Sequence, residues 1–254
     1  ANRLLSKENE LTGTIMRYDY DRFDFLIRQE MTNGSETDII YRMPDFVGNL
    51  FKTPKKIDRK YGVGGRLLED PSYFYHYDDE GNLIFREFKE LQENSITDNR
   101  KHIEKKRGIH CLATGTGWLY EWTSNGMLKR VIRPNGIPVE FRYDALGRRT
   151  VKLYFGKVTR WIWDGDVPIH EWKYNTKKIQ RDKEGKSFQK EPIEDITTWI
   201  FEIGTFVPTA KIQKGKQYSI VCDYMGTPIQ MYNEYGKKVW DCILDIYGKV
   251  LTTN

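Results

Sequence analysis

Four aspartates, Asp78, Asp144, Asp223 and Asp245, each stand three positions before a glycine. Repeated carboxylates suit calcium ligation or acid catalysis. Their fixed distance from glycine favours a third role, because Asp at the first position of a type I turn accepts hydrogen bonds from the turn's own backbone. Asp19, Asp21 and Asp24 suggest the paired carboxylates of a hydrolase. Asp19 and Asp21, however, share one strand face by simple alternation and read as solvated side chains. His102, His110 and Cys111 lie close together, but no second cysteine pair or carboxylate pair completes a metal-ligand spacing. Residues 62–65 lack the Lys-Ser/Thr of a phosphate loop, and residues 115–117 lack a following helix pattern; both read as turns. No Ser-His-Asp or Cys-His arrangement emerges. The chain reads as non-catalytic, with no cofactor and no metal.

Composition narrows the classes further. The 41 basic and 36 acidic residues give a net charge of +5, spread along the chain, which does not point to nucleic acid. No apolar run reaches the roughly 18–20 residues of a membrane span, and the start lacks the apolar stretch of a signal peptide. Three cysteines, Cys111, Cys222 and Cys242, make a disulfide scaffold an unsuitable reading. The hydrophobic fraction is only 39%, yet there are 7 Trp, 16 Tyr and 12 Phe, so the apolar content is concentrated in rings.

A repeat positions these residues. An aromatic or apolar anchor is followed by Asp, Asn or Thr, with glycine four positions after the anchor. It occurs as YDDEG (Tyr77, Asp78, Gly81), WTSNG (Trp122, Gly126) and YDALG (Tyr143, Asp144, Gly147). It recurs as CDYMG (Asp223, Gly226), YNEYG (Tyr232, Gly236) and LDIYG (Asp245, Gly248), and in shifted form at Trp163 and Asp164. Trp122, Tyr143 and Trp163 are 21 and 20 residues apart, while the last three anchors are 10 and 12 apart. The pattern predicts β-hairpins: Asp caps the turn and Gly takes the positive φ of the closing bulge. Flanking segments alternate as strands do, with Trp118, Tyr120 and Trp122 on one face. Rings at equivalent positions are expected to stack as cross-strand ladders. Residues 87–107 and 174–195 are charged insertions, the first a short helix or loop, the second an exposed loop whose lysines are interspersed with glutamates. Residues 1–72 are less regular, with Tyr18 to Phe23 as a decayed repeat.

These residues resemble the tyrosine–aspartate (YD) repeats of the Rhs family. The resemblance is closest over residues 73–250. It is nearly continuous from WTSNGMLKRVIRPNGIPVEFRYDALGRRTVKLYFGKVTRWIWDGDVPIHEW (122–172) through TTWIFEIGTFVPTAKI (197–212) to DYMGTPIQMYNEYGKKVWDCILDIYGKV (223–250). The DYMGTP block, with Gly226, Thr227 and Pro228, is similar to the family's D-x-L-G-T/S-P signature. The resemblance implies an all-β fold, an antiparallel hairpin ribbon forming part of a hollow shell, with residues 1–72 a degenerate region and 73–254 the core. It also implies partners: the remaining shell segments, an enclosed C-terminal toxin, and components of a secretion system such as type VI or other chains. The family's D-P-x-G-L cleavage segment is not found after Val250, and Asp70-Pro71 is followed by Ser-Tyr, so no protease residue is carried over.

A toxin of about 130 residues, with a radius of gyration near ~14 Å, needs a wall on the order of 160 Å around. Roughly 16 strands at ~4.8 Å supply about half of that. The expectation is therefore a non-catalytic shell segment, exported by a specialised route or cytoplasmic before export, and only part of a container. A surface module binding carbohydrate or protein through Trp118, Trp161 and Trp172 is the alternative.

Overall fold

A computed structural model describes residues 3–9, 12–93, 100–178, 184 and 191–253. The chain divides into two compact units, one made of residues 1–75 with 242–253, the other of residues 76–241. Residues 94–99 of the first charged insertion and residues 179–183 and 185–190 of the second lie outside the described residues.

In the first unit, β1 (Ser6–Asn9), β2 (Thr14–Tyr20), β3 (Leu26–Asn33) and β4 (Glu36–Tyr41) form a four-stranded sheet in sequential order. β5 (Met43–Pro44) and β6 (Leu50–Phe51) make a two-stranded sheet. β7 (Lys60–Tyr61), β8 (Leu67–Glu69) and β9 (Tyr73–Tyr77) begin a third. The region that reads as irregular in sequence thus contains an ordinary meander. Gln29 is buried on β3 and donates to the Leu244 carbonyl at 3.4 Å, and the Tyr247 hydroxyl donates to the Tyr41 carbonyl at 2.7 Å.

The third sheet continues through β10 (Leu83–Phe88), β11 (Gly117–Trp122), β12 (Leu128–Ile132), β13 (Pro138–Tyr143), β14 (Arg149–Tyr154) and β15 (Lys157–Asp164). β16 (Val167–Asn175), β17 (Thr197–Phe201), β18 (Pro208–Gln213), β19 (Lys216–Cys222), β20 (Pro228–Asn233), β21 (Lys238–Leu244) and β22 (Val250–Thr253) complete it. All sixteen strands, β7 to β22, follow sequence order with antiparallel neighbours, so every partner is the next strand along the chain. The fold is all-β, with α1 (Arg100–Arg107) as its one α-helix among the described residues.

Sequential pairing explains the two anchor spacings. Connections in a meander alternate between the two ends of the strands, so turns on the same rim are two strands apart. The turns beginning at Thr123 and Asp144, the loop after Asp164, and the turns beginning at Glu202, Asp223 and Asp245 all fall on one rim. The turn of Tyr232 and Asn233 falls on the other, which halves its distance to its neighbours.

Buried side chains are few in the second unit and gather in two places. Phe85, Ile103, Ile109, Cys111 and Leu119 pack where α1 covers β10 and β11. Val151, Val158, Trp172 and Tyr174 form the other cluster, on β14 to β16. Elsewhere strands such as β13 and β20 contain no buried residue, as in a sheet one layer thick.

Ring contacts differ from the expected ladder of stacked rings. Cations alternate with rings along the register. Trp118 pairs with Arg86 on β10, and the guanidinium groups of Arg86 and Arg133 lie 5.4 and 5.6 Å from its ring centre. Lys211 pairs with Trp199 on one side and Tyr218 on the other, 5.6 and 5.3 Å from their ring centres. Arg149 stands 4.3 Å from Phe141 and 5.8 Å from Tyr143. A cation over a ring face is attracted by the ring quadrupole and covers apolar surface with its aliphatic stem. Such pairs suit a half-exposed sheet better than bare rings.

Candidate functional site

The repeat turns share one geometry. In the turn of Asp144, the Gly147 amide donates to the Asp144 carbonyl at 3.1 Å, and the Asp144 amide donates to the Arg148 carbonyl at 3.0 Å. The carboxylate accepts from the amides of Leu146 (3.0 Å) and Arg148 (2.9 Å) and from the Arg148 side chain (2.7 Å). Asp223 accepts from the Met225 and Thr227 amides, both at 2.9 Å, and Asp245 from those of Tyr247 and Lys249, both at 2.8 Å. Asp78 accepts from the Asn82 amide at 2.7 Å. Asn233 and Thr123 do the same work with an amide oxygen and a hydroxyl. The strand register shifts by one residue at Trp122, Tyr143 and Cys222, as a closing bulge requires. Gly81, Gly126, Gly147, Gly226, Gly236 and Gly248 all have φ between 73° and 89°. Pro228 opens β20 opposite Cys222, where no ladder donor is needed.

Burial pushes the Asp144 carboxyl up, but the Arg148 amide, the Arg148 side chain and the Leu146 amide outweigh it and hold the group below the usual carboxylate range. These aspartates are fully engaged as turn caps. Asp164 differs: it ends β15 opposite Val167, and the loop is the two-residue Gly165-Asp166.

The anchors do more than fill a face. The Trp122 indole N–H donates to the Leu83 carbonyl at 2.9 Å, the Tyr143 hydroxyl to the Leu128 carbonyl at 2.8 Å, and the Trp163 indole N–H to the Arg149 carbonyl at 2.9 Å. In each case the acceptor is the first residue of the strand that leaves the preceding turn on the same rim. It also lies two positions before the first residue paired with the next strand, as Leu128 does relative to Arg130 and Arg149 relative to Val151. The ring tip therefore satisfies a carbonyl where the ladder between neighbouring hairpins stops. This is a physical reason for Tyr or Trp rather than Phe at these three anchors. The sequence signal was the polar-tipped ring itself, but its acceptor is set by register.

A second polar centre escaped the sequence reading. Glu87, in a charged run, is completely buried. One carboxylate oxygen accepts from the amides of Ala113 and Gly115, both at 2.8 Å; the other accepts from the Leu112 amide and contacts His76 Nε2, both at 2.9 Å. Burial pushes this carboxyl up, but His76 and the three amides overcome it and bring it down to about 2. A Cβ on the adjacent Gly117 would lie 2.0 Å from the Arg86 carbonyl oxygen, so the loop returns to the sheet only through glycine.

The profile of the teneurin YD-shell family matches residues 47–254. The chain belongs to this YD-shell family. Among similar proteins, teneurin-1 of Mus musculus is 23% identical over 138 residues, covering 52% of this chain and 4% of that protein. The probable deoxyribonuclease RhsB of Dickeya dadantii (strain 3937) is 32% identical over 104 residues, covering 40% of this chain and 6% of that protein. The chain thus spans under a tenth of the length of these relatives. A crystal structure of TcdB2-TccC3-Cdc42 matches at 15% identity and a TM-score of 0.39, covering 98% of this chain and 15% of that one.

As a YD-shell module, the chain is a structural element of the Rhs/YD-repeat class. Among the described residues no group of three or more His, Cys, Asp or Glu side chains could hold a metal, and no helix is long and apolar enough to cross a membrane. Cys111 is buried while His110 is exposed, so the pair does not converge. Asp19 pairs with Arg28 at 2.7 Å. Asp21 caps a YD-type turn by accepting from the Phe23 and Phe25 amides, and Asp24 takes the glycine place at φ 70°. Of the rings considered for sugar stacking, Trp172 is buried, Trp118 lies between two arginines, and Trp161 is half-buried and donates to Glu171 at 3.1 Å.

Proposed function

We propose that the chain is a non-catalytic wall segment of an Rhs-type β-shell that encloses a C-terminal toxin and carries it out of a bacterial cell. The observation that supports this reading is the single-layer meander in the second unit. Its strands hold together through turn caps, ring-to-carbonyl links and ring–cation rows, with little dependence on a deep core. A wall needs these properties, because one face meets the contents and the other meets solvent. Residues 73–254 serve as the repeat core and 1–72 as a diverged part of the same wall. The partners in this reading are further shell segments, the enclosed toxin and the components of a specialised export route.

Limited proteolysis of the full-length gene product tests the reading. The domain that follows the shell should resist trypsin in the native particle and become cleavable once the shell is unfolded at low pH. Cleavage at the same rate in both states would overturn it.

A further inference from the structure

Two turns of the first unit are built like the repeat turns of the second. Between β2 and β3, Asp21 Oδ1 accepts from the Phe23 and Phe25 amides at 2.8 and 3.0 Å. Between β5 and β6, Asp45 Oδ1 accepts from the Val47 and Asn49 amides at 3.0 and 2.9 Å. A cap of this kind fixes the backbone through its first residue and leaves the side chains at the tip without a structural duty. Here the tips carry Arg22, Phe23 and Phe46, all exposed, Phe46 to 99%. Single exposed rings are ordinary on a protein surface, but these converge: Phe23, Phe25 and Phe46 line one cavity of about 570 Å³ within this unit. That volume lies within the range of small-molecule sites.

The charged groups of the cavity are mainly cations: Arg22, Arg42 and Lys56 line it. Arg3, Arg17, Arg28 and Arg59 of the same unit each meet a carboxylate, whereas Arg22, Arg42 and Lys56 form no ion pair among the described residues. The Arg22 guanidinium lies over Phe23, 4.6 Å from the ring centre. Lys56 is held at the wall by donating to the Pro44 carbonyl at 2.5 Å, which leaves further ammonium N–H groups to donate. The two acids that line the cavity, Asp21 and Asp45, are committed to their own turns, Asp45 through both oxygens because the Asn49 side chain donates to Oδ2 at 2.9 Å. A ring-walled cavity with an excess of cations is complementary to an anion carried on a ring.

We propose that this cavity is a binding site for a small aromatic anion, a ring bearing a carboxylate or a phosphate. The phenylalanines take the ring, edge-on or offset-stacked, and so bury surface that the turn tips otherwise leave in water. The guanidinium and ammonium groups take the anion, and the planar fork of arginine suits either a carboxylate or a phosphate. The inference depends on residues 21–56 alone and is independent of what any shell encloses.

Isothermal titration calorimetry on the full chain tests it with probes that share one ring system: naphthoate, the neutral naphthalenemethanol and the cationic naphthylmethylammonium. Naphthoate should bind saturably at one site, at least about tenfold more tightly than the alcohol, and the ammonium should bind most weakly. Naphthyl phosphate is run beside naphthoate, and tighter binding of either supports the site and assigns its anion. Arg42→Gln/Lys56→Gln should cut naphthoate affinity about tenfold and leave that of the alcohol unchanged. Phe46→Ala should weaken both probes, and Lys152→Gln, on β14 of the other unit, should change neither. Melting temperatures should stay at the wild-type value; if the double variant melts early, Arg22→Gln, at an exposed side chain, replaces it with the same selective loss for naphthoate. Equal affinity for acid and alcohol, no saturable binding up to about 10 mM, or naphthoate binding lost in Lys152→Gln and kept in the cavity variants would overturn the proposal.

Discussion

Replacing Glu87 with Gln keeps the side-chain shape and removes the charge on which four donors converge. A carboxyl brought from 4.5 down to about 2 in the folded state contributes about 3 kcal/mol at neutral pH. The Gln amide can accept on one side only, and its own N–H groups then face donors. Some of the Leu112, Ala113 and Gly115 amides lose their partner, at about 1–3 kcal/mol for an unsatisfied buried group. Glu87→Gln should therefore cost roughly 3 kcal/mol, or about 6–12 °C in Tm for a chain of this size. The pH dependence has a definite sign. Because the folded value is depressed, the stabilisation is complete above the unfolded value of 4.5 and is lost as pH falls toward about 2. The gap between wild type and variant should be widest at pH 6–7 and should close between about pH 5 and 2. Urea unfolding across that range, with amide exchange at Leu112, Ala113 and Gly115, reads both effects. A gap below about 1 kcal/mol, or one that does not change with pH, would refute the reasoning.

Three further outcomes follow from the geometry. Tyr143→Phe removes only the hydroxyl that meets the Leu128 carbonyl and should cost about 1 kcal/mol in urea unfolding; no change would mean that carbonyl is satisfied otherwise. Gly117→Ala places a methyl 2.0 Å from the Arg86 carbonyl and should disrupt β10–β11 pairing, seen as loss of amide protection in both strands. Gly147→Val would place its Cβ 3.4 Å from the flexible end of Met127, an ordinary contact, but requires a β-branched residue at φ 79°, so it should cost on the order of 1–2 kcal/mol by thermal unfolding.

The repeat was legible because its chemistry is local. A cap such as Asp144 and a glycine such as Gly147 act within five residues, so their spacing survives in the sequence whatever the sheet does. Turns that use other residues for the same geometry were harder to see. Arg133 to Gly136 is such a turn, with the Asn135 side-chain oxygen accepting from the Ile137 amide, and Asp45 caps another in the N-terminal third. Asp24 hid a third by taking a left-handed conformation usually given to glycine. Contacts that depend on register were not readable at all. Lys211 lies between Trp199 and Tyr218 only because three strands align, and nothing near Lys211 in sequence announces it. Glu87 misled for a related reason. A carboxylate in a charged run looks solvated until a loop 25 to 28 residues away folds over it.

This sheet is proposed to be part of a wall around an enclosed domain. Single-particle electron microscopy of the full-length gene product measures that directly. The expected result is a hollow particle whose wall is one sheet thick, with separate density inside it. A solid domain with no lumen would contradict it.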